Sequence, residues 1–102
     1  MKPAKNYRES LLKALKDPVE AAEYVNAAIE EDDLDAFLLA LRDVAEAQGM
    51  SAISRRANLH RVSLYKMLSP RGNPHLQSVM HLLQAAGLSL TVGVRPAAAR
   101  AH

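Results

Sequence analysis

From Asp17 to Gly87 the apolar residues recur at helical spacing, and each run is closed by a residue that starts or stops a helix. That punctuation leaves room for several short helices, each with one apolar face, and for little else. Asp17-Pro18-Val19-Glu20 supplies a capping carboxylate, a proline suited to the first helical position and an acid three residues after the cap. It predicts a helix running to about Glu30. Asp32 or Asp33 caps the next, in which Leu34, Phe37, Leu38, Leu41, Val44 and Ala45 form one face and Gly49 stands at the end. Ser51 is placed to cap a short helix over 52–57, Asn58-Leu59-His60 reads as a tight turn, and another short helix covers 61–68. Asn73-Pro74 repeats the cap-then-proline start, and Leu76, Val79, Met80, Leu83 and Ala86 make a stripe that Gly87 stops. Tyr7, Leu11, Leu12 and Leu15 suggest a further short helix at the front.

After Gly87 the period changes. Leu88, Leu90, Val92 and Val94 alternate with Ser89, Thr91 and Gly93, which is strand spacing. One strand cannot satisfy its own ladder, so it must pair with the N-terminal segment or with the same strand of a second subunit. The expectation is an all-α domain of five to six helices over residues 1–95, with one C-terminal β-strand at 88–94 paired in a homodimer. The segment 96–102 has nothing to bury and is expected to be a disordered tail.

The chain has 102 residues, enough for one modest core. It contains no cysteine, which removes disulfides, thiolate zinc sites and cysteine nucleophiles. No apolar run approaches the roughly 18 residues of a membrane span, and the first residues lack an apolar signal core. The reading is a cytoplasmic protein with no membrane contact. There is no Gly-rich phosphate loop and no serine in a nucleophile-elbow setting. His75 and His81 share no helix face, and His60 and His102 have no nearby carboxylate, so neither a metal nor another cofactor is expected. Nothing here reads as an enzyme.

The charges are segregated. All 11 acidic residues and 6 of the 13 Lys and Arg lie in residues 1–50, and the other 7 Lys and Arg lie in 51–102, giving −5 and +7. A one-signed surface concentrates a polyanion before any specific contact forms.

The basic half holds the constellation that matters. Two short helices joined by a tight turn need apolar residues at fixed places, here Ile53, Ala57, Leu59, Leu64 and Met67. Ser54 is small where the helices approach, and Asn58 suits a positive φ. This is a helix-turn-helix pattern whose second helix enters the major groove of double-stranded DNA. Its exposed positions are His60, Arg61, Val62, Ser63, Tyr65, Lys66 and Ser69. Arg61 can pair two donors with guanine acceptors, and Val62 can touch a thymine methyl. Lys66, Arg55, Arg56 and Arg71 suit phosphates, and Ser51 can offer its backbone amide to one. The acids at Glu30, Glu31, Asp32, Asp33 and Asp35 straddle a helix end and the next cap. They read as solvated capping charges or as a docking patch for a basic partner.

The residues also resemble a known family. Asp17-Pro18, Ala21 to Ala28, Phe37 to Ala45, Leu64-Tyr65-Lys66-Met67-Leu68-Ser69, Gly72-Asn73-Pro74 and Leu83-Gln84-Ala85-Ala86-Gly87-Leu88 are similar to the probable addiction-module antidote proteins. These are antitoxins with a helix-turn-helix of the Cro and lambda-repressor (XRE) type. The resemblance covers roughly residues 10–95. It departs at Asn58, where the family usually has Gly, and at Val25, where it usually has Leu. It implies a lambda-repressor-like fold, repression of the protein's own operon at an operator, and neutralisation of a RelE-like ribonuclease toxin. Such a toxin handles RNA and is expected to be basic, so Glu20, Glu23, Glu30, Glu31, Asp32, Asp33 and Asp35 become the expected toxin face. Leu88, Leu90, Val92 and Val94 are the expected dimer interface. Two other readings stay open: a stand-alone phage-type repressor without a toxin partner, and an interaction module whose basic face meets an acidic protein or RNA.

Overall fold

In the computed structural model, which describes residues 3–96, six helices follow one another. They are α1 (Pro3–Ala14), α2 (Pro18–Glu30), α3 (Leu34–Gln48), α4 (Met50–Ala57), α5 (Arg61–Met67) and α6 (Leu76–Ala85). Their ends have local causes. The Asp17 carboxylate accepts the Val19 N–H at 2.9 Å, and Pro18 fills a position whose N–H would lack a partner in any helix. Asp33, rather than Asp32, caps α3 by accepting the Asp35 N–H at 3.0 Å. α4 ends on Asn58 in the left-handed conformation (φ 57°, ψ 45°). The N–H groups of Asn58 and Leu59 turn back to the carbonyls of Arg55 and Ser54, closing a Schellman motif. α6 ends the same way on Gly87 (φ 83°), with the Leu88 N–H on the Leu83 carbonyl at 2.8 Å.

Three expectations need correction. Ser51 does not cap α4: the helix begins two residues earlier than expected, at Met50, with Gly49 in the cap position and Ser51 inside the first turn. Asn73-Pro74 does not open α6, because the chain uses those residues to cross from α5, and the helix starts at Leu76. The start at Leu76 leaves Leu76 and Met80 exposed while Val79, Leu82, Leu83 and Ala86 face inward. The segment 88–94 carries no strand, and among the described residues there is none. A strand needs a neighbour to bond to, and no segment among the described residues pairs with it. The tail at 97–102 lies outside the described residues.

α3 is the central element. It packs against α1, α2 and α4, while α4 also packs against α5 and α6. Leu15, Val25, Leu38, Leu41, Val44, Ile53, Leu64, Leu68, Val79, Leu82 and Leu83 build one core. Each such side chain contributes about 1.5–3 kcal/mol by leaving water.

One charge is buried among them. Asp43 of α3 is only 2% exposed. It accepts the Tyr24 hydroxyl at 2.6 Å and Arg8 Nη1 at 2.9 Å, and Arg8 Nη2 reaches Glu46. The Tyr24 phenol is pushed well above its ordinary pKa, first by burial and then by donating to Asp43. The bond to Asp43 likewise raises the Arg8 guanidinium. These contacts tie α1 and α2 to α3.

Candidate functional site

The turn Asn58-Leu59-His60 sets α5 across the surface beside α4. Leu64 of α5 is fully buried in the same core as Ile53 and Ala57 of α4, and Leu59 packs half-buried on that core. Leu68, just past the helix, is buried where the sequence pattern points to Met67, which is only half-buried. With Leu64 fixed inward, His60, Arg61, Val62, Ser63 and Lys66 are all exposed, Val62 by 71%. Ser51, in the first turn of α4, and Arg55 and Arg71 are exposed as well.

Four of the expected site residues carry internal duties. The half-buried Tyr65 ring meets two guanidiniums, with Arg42 Cζ 5.7 Å and Arg61 Cζ 6.0 Å from its centroid. Ser69 is half-buried and its hydroxyl donates to the Lys66 carbonyl at 2.7 Å. Arg56 Nη1 donates to the Ala85 carbonyl at 2.7 Å, and Gln48 Nε2 donates to the Ala86 carbonyl at 3.0 Å. Those two side chains cap the C-terminal end of α6, whose last carbonyls have no partner within the helix. Arg71 adopts φ 62°, and its backbone N–H donates to Asp35 Oδ1 at 2.8 Å, tying the loop after α5 to the first turn of α3.

The acidic residues divide in the same way. Glu20, Glu23, Glu30, Glu31 and Asp32 are exposed on and just after α2. Asp33 is spent as a helix cap and Asp35 on the Arg71 loop. The ion pairs among the described residues join α1 to α3 or lie within α3, and none involves a residue of α4 or α5. No group of three potential metal ligands exists among the described residues.

The segment after Gly87 runs past α2. With Phe37 of α3 they line a groove of about 340 Å³, to which α2 brings Val19, Ala22 and Ile29 and the segment brings Leu88 and Leu90. Val92 and Val94, further along, are each 95% exposed. Sequence reasoning missed Arg42. It lies in the acidic half, 23 positions before Tyr65, and no local spacing marks the pair. Gln48 was missed for the same reason.

A family model described as "probable addiction module antidote protein" matches residues 7–94. The chain belongs to this family. An uncharacterized protein of Haemophilus influenzae is 42% identical to this chain over 69 residues, which is 68% of this chain and 71% of that relative. No solved structure matches it. Membership in an antidote family implies a toxin partner and points to a regulatory rather than a catalytic protein. No described helix is long and apolar enough to cross a membrane.

Proposed function

We propose that the protein is the antitoxin of a toxin–antitoxin module and that it also represses its own operon. α4 and α5 act as a helix-turn-helix of the XRE type within a lambda-repressor-like domain, and α5 enters the major groove of operator DNA. One observation carries this reading. α5 leaves His60, Arg61, Val62, Ser63 and Lys66 exposed together, in a half of the chain that has no acid to neutralise them. Arg61 and Val62 read base edges, while Arg55, Lys66, Arg71 and the Ser51 amide hold phosphates. Arg56 is removed from that set, since it caps α6.

The toxin is a RelE-like ribonuclease, bound directly in the cytoplasm. Exposed Glu20, Glu23, Glu30, Glu31 and Asp32 offer it an acidic face separate from α5. Two chains act together on a two-fold operator, pairing through Leu88, Leu90, Val92 and Val94. Support for that pairing is the exposure of Val92 and Val94, just beyond the groove that Leu88 and Leu90 help to line.

The test is growth. The short reading frame adjacent to this gene is expressed with and without the protein, and a gel shift is run on the upstream DNA. Arrest rescued only by co-expression, together with a shift, is the expected result. A harmless neighbour with a shift intact makes the protein a stand-alone repressor. No shift at any salt removes the DNA reading.

A further inference from the structure

Arg42 belongs by sequence to the acidic half and by position to the basic face. It reaches from α3 to α5, where its guanidinium lies 5.7 Å from the Tyr65 centroid. Tyr65 follows Arg61 by one helical turn, so Arg42, Tyr65 and Arg61 share one face. The Arg42 side chain is 36% exposed, and Arg42 makes a single ion pair, Nε to Glu46 Oε2 at 3.3 Å. That separation is longer than the usual 2.7–2.9 Å of a charge-assisted bond, and Glu46 is shared, because its other oxygen holds Arg8. Two guanidiniums, Arg8 and Arg42, thus share the Glu46 carboxylate, and Arg61 brings a third to the Tyr65 ring. The terminal nitrogens of Arg42 have no partner among the described residues, and they form the planar fork that matches a phosphate.

We propose that Arg42 is a backbone-phosphate ligand of the DNA surface built by α4 and α5, held in place by the Tyr65 ring and Glu46. The inference rests on the DNA reading above and adds to it a residue from outside the helix pair. It assigns Arg42 to the sequence-independent part of binding, alongside Arg55 and Lys66, and leaves Arg61 to the bases.

Salt dependence reports phosphate neutralisation: each phosphate the protein no longer neutralises lowers the slope of log affinity against log salt by about 0.9. The protein is titrated against a short random-sequence duplex by fluorescence anisotropy between about 50 and 200 mM salt, the range over which one neutralised phosphate is worth about 3.5-fold in affinity. Arg42→Gln is expected to lower the slope by about 0.9, Arg42→Lys to keep the slope, and Arg42→Met to repeat the loss if the Gln variant does not fold. Circular dichroism of each variant checks folding. A folded Gln or Met variant with the wild-type slope overturns the proposal. Failure of the wild-type protein to bind any duplex is a different outcome, and it takes the DNA reading down with it.

Discussion

Replacing Asp43 by Ala removes the acceptor on which two other helices converge, and the cost can be built up from its partners. The Tyr24 hydroxyl bond, at 2.6 Å and part-buried, is charge-assisted and is worth about 1.5–3 kcal/mol. Arg8 is 45% exposed and keeps Glu46 as a second partner, so its share is the surface value of about 0–1 kcal/mol. The sum is about 1.5–4 kcal/mol. For a domain of this size that lowers Tm by about 6–30 °C. Urea unfolding followed by circular dichroism should show Asp43→Ala costing most, Tyr24→Phe next and Arg8→Ala least. A double-mutant cycle between Asp43 and Tyr24 should return a coupling of about 1 kcal/mol or more. An Asp43→Ala stability within about 0.5 kcal/mol of wild type, the range of an ordinary surface change, would refute the assignment. So would Arg8→Ala proving the more damaging of the two.

Four further outcomes follow from single residues. The Tyr24 pKa lies above its unfolded value of 10.0, so the folded state keeps a proton that the unfolded state loses. Stability from this group is therefore complete below pH 10 and falls as pH rises through the folded value; urea midpoints against pH should show a loss that Tyr24→Phe does not. A Cβ on Gly72 would sit 2.5 Å from the Met67 carbonyl oxygen and 3.0 Å from that of Ser69, so Gly72→Ala should cost about 1–3 kcal/mol in a thermal melt. Asn58 holds φ 57°, and Asn58→Ala should cost about 1–2 kcal/mol in the same assay while Asn58→Gly stays near neutral. Arg55→Gln should lower the salt slope of DNA binding by about 0.9, whereas Arg56→Gln should leave the slope unchanged and lower the melting temperature through the lost cap on α6.

The helices were legible because their signals are local. Asp17-Pro18, Asp33 and Gly87 act within one turn of themselves, and Asn58 needs only its own backbone to adopt the left-handed turn. The exposed face of α5 followed from where Leu64 must point. What sequence could not supply depends on groups that meet only after folding. Asp43 looks like any acid on a helix until Arg8 and Tyr24 arrive from α1 and α2. Arg56 reads as a surface cation until the end of α6 is laid beside it. The alternation from Leu88 to Val94 describes a strand correctly as a pattern, yet the pattern becomes a ladder only when another chain segment lies alongside, and this chain provides none among its described residues.

The bond from the Arg71 N–H to Asp35 has a bearing on how any salt titration of this protein is interpreted. It joins a neutral donor to a carboxylate at 2.8 Å and so is not an ion pair. Salt lowers DNA affinity through counterion release at the phosphates, so ionic strength that strips phosphates from Arg55 or Lys66 is expected to leave the loop after α5 where it was. A fall in affinity with added salt then measures phosphates set free and not a loop coming loose, and that separation is made by an acidic residue that never touches the nucleic acid.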